Sequence, residues 1–277
     1  MPSWIDETKR RLRRHLPERL IQDVKSLSRS FAPIGRLPGF VIIGAQKGGT
    51  SALFEMLSRH PDVTPSIIKE VHYFDLNYFR GEQWYRRHFP ETSSLISGEA
   101  SPYYLFHPAV PGRLKSTIPQ AKLIVILRDP VERALSHYFH ALRRGQEILP
   151  LLEALQAEEQ RLDGAEEDLD RPDGTSFAHR HFSYVARSRY LEQLARWRAV
   201  FDDSQILMLS NRDLRRAPDQ TFARTCAFLG VPTIPAPGLA REIGGEKPEV
   251  PQAARDFLNA RLGDIAAAVK KEYGLVL

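Results

Sequence analysis

The chain has 277 residues, of which 42% are hydrophobic and 26% charged, enough for one large domain with a substantial core. No apolar run approaches the ~18–20 residues of a membrane span, and the N-terminus lacks a signal-peptide core, so the cytoplasm is the expected location. Cys226 is the single cysteine, which excludes an internal disulfide and a cysteine-based zinc site. The net charge of +5 resides in residues 1–36, where nine Lys/Arg face four Asp/Glu. The neutral remainder argues against a nucleic-acid partner.

Residues 1–37 form a basic N-terminal arm ahead of a domain spanning 38–277. Ile5, Leu12, Leu16, Leu20, Val24 and Leu27 recur at helical spacing, interrupted at Pro17. Such a basic amphipathic segment can lie on an anionic membrane surface through residues 1–30 or bind a partner. An arm packed on its own domain is the simpler expectation. Pro33 to Gly39 links it to the first core strand.

Phe40–Ile43 is an apolar strand followed by Gly44-Ala45-Gln46-Lys47-Gly48-Gly49-Thr50-Ser51 and a helix. The turn aims backbone amides and a helix N-terminus at one point, which suits a phosphate or sulfate. Gly44, Gly49 and Ser51 keep the register of GxxxxGK[ST]. Thr50 stands where that pattern has lysine, and the lysine lies within the loop as Lys47. The displacement argues for an anion other than the one an ordinary NTPase handles.

Pro61 and Pro65 are expected to bracket a turn. Lys69-Glu70-Val71-His72-Tyr73-Phe74 reads as a short strand or extended segment, with Glu70, His72 and Phe74 on one side. A further strand is expected at Ser94–Ser97. Lys122–Leu127 is an unbroken apolar run of the kind found inside a parallel sheet. Arg128 closes it, Asp129 can cap a helix opened by Pro130, and Ser136 falls in that helix's second turn. Arg128 and Ser136 can therefore offer a guanidinium fork and a hydroxyl to one phosphate. The acid-rich residues 145–180 are expected to be a solvated helix and loop, with a lid over the site as the alternative. A helix over Tyr190–Val200 precedes a last strand, Gln205–Leu209. Strand and helix in alternation predict a doubly wound α/β sheet with ligands at its C-terminal strand ends.

Three of these segments, Gln46–Ser51, Lys69–Phe74 and Arg128–Tyr138, resemble the PAPS-dependent sulfotransferases. The branch with the heparan sulfate sulfotransferases and related bacterial enzymes is the most similar, and weaker similarity runs through Ser188–Leu191. The resemblance implies a P-loop-like, three-layer α/β fold with a central parallel sheet. It implies 3′-phosphoadenylyl sulfate (PAPS) as co-substrate and no metal. Lys47, Gly48, Gly49, Thr50 and Ser51 would hold the 5′-phosphosulfate, and Arg128 and Ser136 the 3′-phosphate. Tyr190 and Lys247 are further cofactor-binding candidates. Glu70 matches the proposed catalytic base, with Lys47 and His72 as the other catalytic candidates. Cytosolic relatives use a histidine, so His72 is the alternative base. The acceptor would be a small molecule or glycan bearing a hydroxyl, or as second choice an amine. Ala100 stands where the heparan enzymes have lysine, which argues against a polyanionic acceptor of that kind. Two rival readings are a P-loop kinase or NTPase with a degenerate loop, and a non-catalytic nucleotide-binding adaptor at a membrane surface.

Overall fold

Five parallel strands form one sheet in the order β2-β3-β1-β4-β5: β1 (Phe40–Gly44), β2 (Val63–Pro65), β3 (Ile96–Ala100), β4 (Lys122–Leu127) and β5 (Ile206–Ser210). This computed structural model describes residues 33–91, 94–238 and 249–277. The expected helices and membrane contact of residues 1–30 lie outside the described residues, as does Lys247.

Period-two alternation of the central strands explains why their sequences are apolar throughout. Val41, Ile43, Leu123, Val125 and Leu127 pack on one face with Tyr104, Tyr190 and Trp197. Phe40, Ile42, Ile124 and Ile126 pack on the other with Leu53, Met56 and Phe222. Both faces are covered by helices, giving three layers. The helices that matter to the site are α1 (Thr50–Leu57), α2 (Tyr73–Leu76), α3 (Pro130–Arg143), α4 (Tyr190–Arg198) and α5 (Asn211–Arg216). Because every strand points the same way, the residues following β1, β3, β4 and β5 meet at one edge of the sheet. Those residues include the Lys47 loop, Ser101, Arg128 and Asn211.

Four local expectations need correction. Val63–Pro65 is a strand rather than a turn; it lies at the sheet edge, where a proline without an N–H is tolerated. The strand expected at 94–97 runs instead over Ile96–Ala100. Lys69–Phe74 is not extended: Glu70 (φ 61°) and His72 (φ 54°) are left-handed, and α2 starts at Tyr73. Alternation is therefore broken, and Phe74 is buried beside Val71 and Tyr73 instead of sharing a face with Glu70. The acid-rich section is only partly a solvated surface. Glu158 is buried and accepts the amides of Val185 (2.7 Å) and Ala186 (2.8 Å), and buried Glu147 accepts from Arg161 and Tyr184.

Candidate active site

The loop after β1 is shaped from three sides. Gly49 adopts φ 111° and precedes α1 without a capping side chain; its carbonyl accepts the Ala52 and Leu53 amides at 3.0 and 3.2 Å, so the helix opens with the Thr50 and Ser51 amides toward the loop. A Cβ at Gly48 would overlap the Ile126 carbonyl, which makes glycine necessary where the loop crosses β4. Asn211, at the start of α5, donates Nδ2–H to the Gly48 carbonyl at 2.8 Å. Arg187 donates to Gln46 Oε1 at 2.6 Å and lies over the Tyr103 ring. Lys47 sits at the apex with φ 69°. Burial, then the charges of Arg143, Arg128 and Lys69, bring its ammonium down to about 8.

The segment before α2 supplies a carboxylate. Lys69 donates from Nζ to Ser51 Oγ (2.5 Å) and to Glu70 Oε1 (3.0 Å). His72 Nε2 lies 3.5 Å from Glu70 Oε2, and its Nδ1–H donates to Asp75 Oδ2 at 2.7 Å. Glu70 is 40% exposed at the side chain, whereas Asp75 is fully buried. Burial disfavours charge on His72, but Asp75 and Glu70 outweigh it and push the imidazole up to about 9. Burial would likewise raise Glu70, yet the hydrogen bond and charge of His72, with Lys69, hold its carboxyl well below the usual carboxylate range. At neutral pH the pair is thus imidazolium and carboxylate.

Among the described residues, the only non-glycine positions with positive φ are Lys47, Glu70 and His72. Each such conformation costs about 1–2 kcal/mol for a residue with a Cβ. A single hydrogen bond returns about 1 kcal/mol, so these positions need several long-range contacts to persist. Their coincidence with the three residue positions singled out for catalysis points to a site where strain serves geometry.

Arg128 follows β4 and contacts Glu132 at 3.4 Å, one turn into α3. Asp129 caps α3 by accepting the Glu132 amide at 2.9 Å. Arg128 and Ser136 line one cavity of about 1110 Å³ together with Lys47, Gly49, Thr50, Ser51, Glu70 and His72. Gly48 and Tyr190 do not line it. The Gly48 amide donates to the Ala45 carbonyl within the turn. Tyr190 is fully buried, and its hydroxyl donates to the Arg128 carbonyl at 2.8 Å. It therefore holds the end of β4 rather than presenting a group to a cofactor.

Sequence reasoning missed Asp75, although its place three residues after His72 at a helix start was a usable signal. It also missed Arg143, Arg144 and Arg180, which line the same cavity. Nothing local marks them, since exposed arginines are common on any helix.

The Sulfotransferase domain family matches residues 37–242. Mouse heparan sulfate glucosamine 3-O-sulfotransferase 3B1 is 34% identical over 200 residues, covering 72% of this chain and 47% of that protein. The membrane-associated sulfotransferase kil1 of Dictyostelium discoideum is 42% identical over 111 residues, covering 39% of this chain and 24% of that protein. The chain thus spans about half or less of the length of these relatives. The crystal structure of a sulfotransferase from Alicyclobacillus acidocaldarius superposes with a TM-score of 0.74 at 30% identity, covering 87% of this chain and 98% of that one. The parallel sheet, the loop after β1 and the extent of these matches agree: the chain belongs to the sulfotransferase family.

Proposed function

We propose that the protein transfers the sulfuryl group of PAPS to a hydroxyl, or as second choice an amine, of a small-molecule or glycan acceptor. The observation that carries this reading is that the Lys47 loop, Glu70 and the Arg128–Ser136 pair line a single cavity. When bound, PAPS supplies an activated sulfuryl group on a phosphate leaving group. Lys47, the Thr50 and Ser51 amides at the start of α1 and the Ser51 hydroxyl would bind that phosphate and stabilise charge growing on it. Arg128 and Ser136 would bind the 3′-phosphate. Glu70 would take the acceptor's proton as its oxygen bonds to sulfur and the bond from sulfur to the phosphate oxygen breaks. His72, charged at neutral pH, has no free lone pair for that proton; it orients Glu70 and keeps it ionised.

Charge balance supports an acceptor that is itself anionic. Nine Lys/Arg side chains line the cavity against three glutamates. PAPS brings roughly four negative charges, which leaves a positive surplus. Ala100 lacks the lysine of the heparan enzymes, yet Arg143, Arg144 and Arg180 provide cations from other elements. The same reading includes a peripheral contact of residues 1–30 with anionic lipid. Among the described residues, no helix is long and apolar enough to cross a membrane.

The test has two arms. PAP should raise the melting temperature well above the effect of ATP, which lacks a 3′-phosphate, and labelled PAPS should pass its sulfate to an anionic hydroxyl compound in an acceptor screen. Equal stabilisation by PAP and ATP, with no transfer to any acceptor class, would overturn the proposal.

A further inference from the structure

Glu99 lies in β3 opposite Val41 of β1, with no solvent exposure, and is not among the residues that line the cavity. Three hydroxyls surround its carboxyl group. Tyr85 OH donates to Oε1 at 2.7 Å, Tyr104 OH to the same oxygen at 3.1 Å, and Ser101 Oγ to Oε2 at 2.7 Å. Two of these hydroxyls also receive backbone amides from the proton-accepting segment. Ser101 Oγ accepts the His72 N–H at 3.2 Å. Tyr104 OH accepts the Tyr73 N–H at 2.8 Å and the Phe74 N–H at 3.4 Å. An amide N–H can only donate, so each hydroxyl must accept from the amide and direct its own proton elsewhere. In both cases that proton goes to Glu99.

The polarity of the whole chain is therefore set at Glu99. Burial pushes the Glu99 carboxyl above its ordinary range and the three hydroxyl bonds oppose that shift; as a carboxylate it accepts from every hydroxyl around it, and the hydroxyls are left with lone pairs facing residues 72–74. With an amide group at position 99, one oxygen would be replaced by an N–H donor facing a hydroxyl proton. That hydroxyl would lose the acceptor for its own proton and have to rotate to find another, which disturbs the bond it now accepts from the backbone amide. The consequence falls on Glu70 and His72, whose left-handed backbone is held by these amides and by the Glu70 N–H to Ala100 carbonyl bond at 3.1 Å.

We propose that Glu99 is a positioning residue for the proton-accepting segment: its carboxylate orders Ser101 and Tyr104, which hold the amides of residues 72–74 and so set Glu70 and His72 in place. The proposal rests on the assignment of Glu70 as the base. It separates Glu99 from a buried acid that serves the core alone, because two of its three donors lead to the strained segment rather than to the sheet.

Glu99→Gln keeps the side-chain size and tests the polarity. The folded variant should bind PAP as the wild type does, since Lys47, Ser51 and Arg128 lie on other elements. Its kcat should fall on the order of 10²-fold, the cost of a misplaced catalytic group, with little change in acceptor KM. The His72 imidazole NMR resonances should move toward those of a solvated histidine. Ser101→Ala and Tyr104→Phe should each shift kcat and these resonances the same way, and Glu99→Gln added to the pair should cause little further loss, because all three act through one chain of bonds. A folded Glu99→Gln protein with wild-type kcat and unchanged His72 resonances would overturn the proposal. If Glu99→Gln does not fold, Ser101→Ala and Tyr104→Phe decide by the same two readouts. Should the wild type sulfate no acceptor, the functional reading fails on its own, and the His72 resonances still decide the positioning role.

Discussion

Lys69 donates to Ser51 at 2.5 Å while also holding Glu70 at 3.0 Å, so one ammonium joins the anion loop to the carboxylate. The two halves of the proposed chemistry, binding the leaving group and accepting the proton, are thus linked through a single side chain. A phosphate arriving at Ser51 would compete for this ammonium and loosen its hold on Glu70. That would remove only the smaller of the two influences that depress Glu70, since the hydrogen bond and charge of His72 outweigh those of Lys69.

Removing the proton acceptor should slow the reaction without emptying the site. Glu70→Gln is expected to lower kcat by about 10²–10⁴-fold with PAP affinity nearly unchanged. His72→Ala should be milder, because the histidine orients Glu70 rather than taking the proton. Steady-state kinetics on folded, PAP-binding variants checks both, and a more damaging His72→Ala with an active Glu70→Gln would reverse the roles.

Arg128 should matter to affinity. Its guanidinium is only lightly held by Glu132, at 3.4 Å and at the edge of hydrogen-bond range. Arg128→Ala is expected to weaken PAP binding by about 2 kcal/mol, on the order of 30-fold. Calorimetric titration reads this directly, and unchanged affinity in the folded variant would make the arginine structural.

His72 should give the fold a pH-dependent component. Its folded value of about 9 lies above the ordinary 6.5, so its contribution is complete below pH 6.5 and is lost as pH rises through 9. The loss is at most about 3 kcal/mol. Lys47 titrates in the opposite sense, because its value is depressed to about 8 and stability is regained as it deprotonates. The clean measurement is the difference in urea stability between wild type and His72→Gln, which should shrink from pH 6 to pH 10. A difference independent of pH would mean that the histidine is not charged in the folded protein.

The surplus cations should act on the acceptor. Arg144→Ala is expected to raise KM several-fold for an anionic acceptor while leaving KM for PAPS nearly unchanged. The effect should fade at high salt as exposed charges are screened. An effect of equal size on a neutral acceptor would show that Arg144 acts by shape instead of charge.

The sequence by itself determined the elements that short-range forces control. β1 and β4 are apolar runs long enough to be buried on both faces, and Asp129 with Pro130 starts α3 through local capping and a preset φ. The loop after β1 was legible because its glycines and hydroxyls act within eight residues. Tertiary structure decided what depends on contacts across the chain. The Glu70 amide donates to the Ala100 carbonyl, that of His72 to Ser101 and that of Tyr73 to Tyr104, partners about thirty residues away that hold a left-handed segment where alternation alone predicted a strand. Gln46 is held by Arg187 and Gly48 by Asn211, partners 141 and 163 residues distant. The burial of Glu158 and of Tyr190 likewise follows from which backbone groups the fold brings beside them. A local pattern records propensity and burial; it does not record which distant donor will meet which acceptor, and in this protein those pairings shape the proposed site.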